Sequence, residues 1–368
     1  MNKDSLAVKA AETFLERKPD LTEKWAYDTG IVLKGFEALY HATGDEKFFD
    51  YIKTTMDFFI QDDGSIKLYN REEYAMDNIN TGKALFPLYK KYGDEKYKKA
   101  ADILMEQLKN QPRSKDGVFL HKKEFVDQVF LDSLFMSGPF YAQYVKEFGC
   151  ENDWTDVARQ FLLCESYLRD DKTGLLYHAC DLSKKSAWAN PDTGLSESFW
   201  ARAMGWFCMG LADVLEFFPD THADRQHLVD ALDRALTSLV KVRSDSGVWY
   251  QILDKSGKKG NYLESSASLM FTYAMAKGVD LGCLNKLKYG PILQRAYQGI
   301  IDEFITITKQ GLVNLNKVCM SASLGGDDIH DGSFVYYISE PIVSNDRRGF
   351  GVLIKLCTIM ESKINKTN

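Results

Sequence analysis

Apolar and polar positions alternate with a helical period along most of this chain, and the pattern itself recurs. Residues 30–43 (GIVLKGFEALYHAT) and 82–92 (GKALFPLYKKY) are apolar helical stretches, followed by the pentapeptides GDEKF (44–48) and GDEKY (93–97). A second helical pattern follows each, at 48–60 and 97–110, and runs on to Gly64 and Gly117. Further copies pair 133–148 with 153–169, 199–217 with 223–243, and 265–279 with 290–308, ending near Gly174, Gly247 and Gly311. The opening helix, 4–17, has no predecessor and the last, 349–362, has no successor. Packing these two together closes six antiparallel hairpins into a ring. The first helix of each pair is apolar nearly all round (AMGWFCMGLADVL, SLMFTYAMA), which suits an inner wall, and the second is amphipathic, which suits an outer one. The pattern predicts an all-α (α/α)6 toroid, with residues 1–368 as a single domain. An open solenoid would leave those apolar inner helices facing water.

A short segment leads back from each outer helix to the inner layer. Four residues beyond the glycines stand Leu68, His121, His178 and Gln251, so two histidines occupy equivalent positions facing one mouth. The inner helices begin with polar groups in apolar company: Asp77, Asp132, Arg202 and Ser265-Ser266. Helix N-termini converge there, and their free N–H groups favour anions. Asp132 lies among Phe130, Leu131, Leu134, Phe135 and Met136, which predicts a raised pKa suited to a general acid. An N-cap role is the alternative for Asp132, and equally for Asp77. Arg202, between Trp200 and Trp206, suits a carboxylate fork flanked by sugar-stacking rings, or else the tryptophans fill the core.

Composition narrows the chemistry. The formal net charge is −6 and no basic block with interleaved aromatics stands out, so nucleic acid is not an expected partner, and an anionic ligand needs local cations. The charged first twenty residues lack a signal-peptide core, and no run reaches the roughly 18 apolar residues of a membrane span. Seven cysteines without a CxxC pair and six histidines without HExxH predict a reduced, cytoplasmic protein with no metal and no cofactor. The oligomeric state is left as monomer or homodimer.

The segments MDNINTGK (76–83), HKKEFVDQVFLDSLFMSGPF (121–140), YHA (177–179), FWARAMGW (199–206) and GSFVYYISEPIVSNDRRGFGVLI (332–354) carry a resemblance. In order along the chain, they resemble family 105 glycoside hydrolases, the unsaturated rhamnogalacturonyl hydrolases, and more distantly the family 88 unsaturated glucuronyl hydrolases. The resemblance implies Asp132 as catalytic acid/base and Asp77 as its assisting carboxylate. It places His121, Lys122, Met136, His178, Trp200, Arg202 and Trp206 in the sugar cleft. Phe130 belongs to it too, standing where the family often has Trp. A loop at Ser323, Leu324, Gly325 and Gly326, with Tyr336 and Tyr337, would close it. The implied reaction is hydration of the C4=C5 bond of a terminal unsaturated galacturonic acid on a pectin-derived, rhamnogalacturonan oligosaccharide. Other readings are an unsaturated glucuronyl hydrolase acting on ulvan- or glycosaminoglycan-type fragments, a sugar epimerase using His121 and His178, and an inactive oligosaccharide binder.

Overall fold

The recurring Gly-Asp dipeptide is a helix stop joined to a helix start. Gly44 and Gly93 sit at φ +71° and +64°, where a Cβ is disfavoured, and their N–H groups close on the carbonyls of Tyr40 and Tyr89 at 2.8 Å. Asp45 and Asp94 then accept from the N–H groups of Lys47 and Lys96 as N-caps of the next helix. The chain reverses in two residues, and an antiparallel hairpin results.

The computed structural model describes residues 5–149, 151–325 and 330–367. Its helices are α1 (Leu6–Arg17), α2 (Tyr27–Thr43), α3 (Glu46–Phe59), α4 (Asp77–Asn80), α5 (Leu85–Tyr92), α6 (Glu95–Lys109) and α7 (Asp132–Phe148). They continue as α8 (Glu151–Leu168), α9 (Ala201–Phe217), α10 (Arg225–Lys241), α11 (Ser265–Asp280), α12 (Lys286–Phe304), α13 (Phe334–Ser339) and α14 (Arg347–Thr367). The inner ring runs α2, α4–α5, α7, α9, α11 and α14, and α14 packs back on α2 to close it. The fold is therefore the α/α toroid. Helix α9 is buried without a break from Ala201 to Leu215, whereas its outer partner α10 buries only one stripe.

The first and last hairpin halves meet as partners. Glu361 of α14 accepts from the N–H groups of Leu6 (2.8 Å) and Ala7 (3.2 Å), placing a carboxylate on the positive end of α1.

Two stretches depart from the periodicity. The second inner helix starts at Asp77, five residues before the apolar pattern, and passes through a 3-10 turn (Thr81–Ala84) between α4 and α5. Its Asn-Ile-Asn-Thr-Gly sequence is poor in helix formers. Helix α12 ends at Phe304 rather than 308, because the β-branched run that follows forms strand β3 instead. Three small antiparallel pairs result: β1 (Gln128–Phe130) with β2 (Ala179–Asp181), β3 (Ile305–Ile307) with β4 (Val313–Leu315), and β5 (Val318–Cys319) with β6 (Ile342–Val343). No helix among the described residues is long and apolar enough to cross a membrane.

Candidate active site

Four inner helices begin in the same way. The N–H of Met76 donates to the carbonyl of His121 (2.9 Å), Leu131 to His178 (3.1 Å), Ala201 to Gln251 (3.0 Å) and Ser265 to Lys317 (3.0 Å). The residue after each donor is Asp77, Asp132, Arg202 or Ser266. Each of these hairpins thus delivers one polar side chain to the same end of the ring, beside its own return segment. The β1–β2 ladder, with Phe130 opposite Ala179, fixes this register where Asp132 meets His178.

Two of the four positions form matched pairs around a cavity of about 250 Å3. His178 directs Nε2 at Asp132 Oδ2 (3.1 Å) and Nδ1 at the Tyr337 hydroxyl (2.7 Å). His121 directs Nε2 at Asp77 Oδ1 (3.6 Å) and Nδ1 at Ser133 Oγ (3.0 Å). A hydroxyl therefore fixes each ring, and each ring faces a carboxylate. The cap positions of α7 and α4 belong to Leu131 and Met76, so neither aspartate is the N-cap residue. Asp132 Oδ2 is buried and has no well-formed hydrogen bond among the described residues, although His178 Nε2 stands 3.1 Å away.

The electrostatics correct one expectation. Burial does push the Asp132 carboxyl's pKa up, but the charges of His178 and His121 and the contact with His178 outweigh it, and the net direction is down. The apolar flanks are present as expected: Phe130, Leu131, Leu134, Phe135 and Met136 are all buried. The sequence pattern could not show that the neighbouring return segment brings a histidine to the same carboxylate.

Lys122, Phe130 and Met136 also line the cavity. Met136 lies one turn below Asp132, and Phe130 packs edge-on to His178 and tilted to His121, keeping the two pairs apart. Lys122 Nζ stands 5.4 Å from the centroid of Phe125. The structure does not bring the remaining expected residues to the cavity wall. Trp206 is 1% exposed and stacks on Phe135, so it has no ring face left for a sugar. Trp200 is 2% exposed and packs between His178 and Tyr337. Arg202 is committed elsewhere: Nε to Ser266 (2.9 Å), Nη2 to Glu264 (3.5 Å) and to the Cys319 carbonyl, and Nη1 to the Met320 carbonyl (3.5 Å). It anchors the strand leading to 321–323, which does line the cavity. Tyr336 holds that segment by accepting from the Ser323 N–H at 2.8 Å. Gly325, at φ +72°, donates to the His330 carbonyl behind it, and Gly326 lies outside the described residues.

Tyr27, Phe125, Ser321 and Ala322 complete the lining and were not anticipated. Tyr27 had a usable signal, because it opens α2 at the N-terminal end of the ring. The apolar pattern begins only at Gly30, which hid it.

Comparisons with known proteins identify relatives of this chain. The family model described as Glycosyl Hydrolase Family 88 matches residues 6–363. A family 105 glycoside hydrolase of C. acetobutylicum ATCC 824 superposes with a TM-score of 0.95 at 47% identity, covering 97% of this chain and 99% of that one. Protein Atu3128 of Agrobacterium fabrum is 36% identical over 60% of this chain and 95% of its own length. The unsaturated rhamnogalacturonyl hydrolase YesR of Bacillus subtilis is 28% identical over 76% of each chain.

Proposed function

Because the chain belongs to glycosyl hydrolase family 88 and is an unsaturated uronyl hydrolase of the family 88 and 105 type, we propose that it hydrates the C4=C5 bond of a terminal unsaturated galacturonic acid on a rhamnogalacturonan-derived oligosaccharide, with Asp132 as acid and then base. The observation that carries this reading is the buried Oδ2 of Asp132, without a well-formed hydrogen bond, at the wall of a cavity of sugar-ring size. The substrate class follows the name of the Bacillus subtilis relative.

Protonated Asp132 gives its proton to C4, and positive charge develops over C5 and the ring oxygen. Water adds at C5 while the Asp132 carboxylate takes its proton. The resulting hemiketal opens and expels the neighbouring sugar, so one water is consumed and one glycosidic bond is lost. The same residue is acid and base, and the spacing rule for two-carboxylate glycosidases does not govern the outcome. The adjacent histidines favour the ionised form of Asp132. A bound uronate brings its own negative charge beside Asp132, which raises the affinity of the Asp132–His178 pair for the proton that the first step needs. Lys122 is the lysine at the cavity wall and offers that uronate a counter-charge. Asp77, facing His121, sets the orientation of the second imidazole.

The test is loss of the ultraviolet absorbance of the conjugated alkene on incubation with unsaturated galacturonyl-rhamnose. Wild type is expected to consume it, and Asp132→Asn to do so slower by roughly 10²–10⁴-fold. Consumption of unsaturated glucuronyl disaccharides alone would move the substrate and keep the catalyst. An Asp132→Asn protein as fast as wild type would remove Asp132 from the chemistry.

A further inference from the structure

The axis of the ring is filled in layers. Beneath the active-site floor at Met136, the rings of Phe135 and Trp206 stack at 4.7 Å, with Tyr27 edge-on to Trp206. On the other side of this plug is a second cavity, of about 110 Å3, toward the C-terminal ends of the inner helices. Unlike the plug, it is lined by many charged side chains.

Its charges pair almost completely. Lys355 of α14 holds Asp213 of α9 through both carboxylate oxygens, at 2.9 and 2.8 Å, and the Tyr273 hydroxyl of α11 adds a third bond at 2.6 Å. Lys277 of α11 meets Glu216 of α9 at 2.9 Å. On α2, Lys34 meets Glu37, which also has His41 at 3.9 Å. Each of the three carboxylates thus has its own lysine. A fourth lysine, Lys83, from the 3-10 turn before α5, also lines the cavity. It is 2% exposed, and among the described residues it has neither a hydrogen bond nor an ion pair; its Nζ stands 3.9 Å from the centroid of Phe135. A ring face is a weak substitute for hydration of a buried ammonium. Burial accordingly drives the Lys83 pKa well below the ordinary lysine value, with Lys355 and Lys34 pushing the same way and Asp213 and Glu37 opposing.

We infer that this second cavity is a binding site for a small oxyanion, of the inorganic phosphate or sulfate class, with Lys83 as its innermost ligand and Lys34, Lys277 and Lys355 around it. The volume admits about three or four waters, or one tetrahedral oxyanion in their place. Entry lies along the rim, where His41 and Glu216 are well exposed. The helix C-termini account for cations at that rim, but their field fades within one turn. Lys83 lies deeper, against Phe135 in the first turn of α7. What is missing at Lys83 is negative charge, and the paired acids have none to spare.

The test is a calorimetric titration of the full-length protein with inorganic phosphate at constant ionic strength, in two buffers of different ionisation enthalpy. One phosphate per chain is expected to bind, with proton uptake that grows as pH rises, because a bound anion favours the charged form of Lys83 that burial disfavours. Lys83→Met is expected to weaken binding at least tenfold and to abolish the proton uptake, with hydrolase turnover unchanged. If that variant does not fold, Lys277→Met, at the mouth of the cavity, is expected to weaken binding in the same direction. No saturable binding to wild type, or binding undiminished in the variants, overturns the proposal.

Discussion

The two aspartate–histidine pairs are built alike and end up chemically different. Each aspartate follows the residue that donates to its histidine's carbonyl, and each histidine is steadied at Nδ1 by a hydroxyl. Burial separates them. In the Asp132–His178 pair the side chains are 17% and 1% exposed and 3.1 Å apart; in Asp77–His121 they are 34% and 10% exposed and 3.6 Å apart. The steadying hydroxyls differ as well. Tyr337 comes from α13, some 160 residues further along, and seals His178 from above, whereas Ser133 is the immediate neighbour of Asp132. Charge–charge terms grow as water is excluded, so the proposed mechanism assigns proton transfer to the deeper pair and positioning to the shallower one.

Replacing each carboxylate tests that ranking most severely. Asp132→Asn is expected to lower kcat by the roughly 10²–10⁴-fold typical of a lost general acid. Asp77→Asn is expected to cost about 1.5–3 kcal/mol, a tenfold to hundredfold loss, as for a hydrogen bond to a charged group. Steady-state kinetics on the unsaturated disaccharide separate the two. Equal losses would erase the distinction drawn from burial.

The hydroxyls come next. Tyr337→Phe strands the Nδ1 of a fully buried imidazole and is expected to lower unfolding free energy by about 1–3 kcal/mol. Ser133→Ala leaves His121 close enough to solvent to recover a partner, for about 0.5–1.5 kcal/mol. Denaturant unfolding of both variants gives the comparison directly, and a larger loss for Ser133→Ala would invert it.

The repeat, the ring closure and the mouth at which chemistry gathers were all legible in the sequence, because a glycine-aspartate turn and a helical stripe are local signals. The equivalence of His121 and His178 was legible for the same reason, since both stand four residues beyond a repeat glycine. What each histidine touches was not. The hydroxyl on His178 comes from Tyr337, a contact across 159 residues that no period announces. Arg202 was misleading for a related cause: its position in the repeat is equivalent to that of the aspartates, but its own return segment supplies Gln251, and the guanidinium turns to Ser266, Glu264 and the carbonyls at 319–320. Trp200 and Trp206 show that an aromatic beside a site residue in sequence can lie behind the wall in space. Lys83 was invisible, since a lysine seven positions after Met76 in a helical stretch reads as surface.

The mildest expected effect concerns acid. The folded protein holds the Asp132 pKa below its ordinary value, so between those two values the unfolded chain binds more protons than the folded one. Unfolding free energy therefore rises with pH across that window. The contribution is complete above the ordinary carboxylate value and is lost as pH falls through the lowered one. Asp132→Asn removes the titrating group, so the gap between wild type and variant is expected to shrink steadily on acidification within that window. Urea titrations at a series of acidic pH values measure it. An acid slope unchanged by Asp132→Asn would mean that the neighbouring histidines do not lower this carboxyl's pKa, and the two pairs would then differ in burial alone.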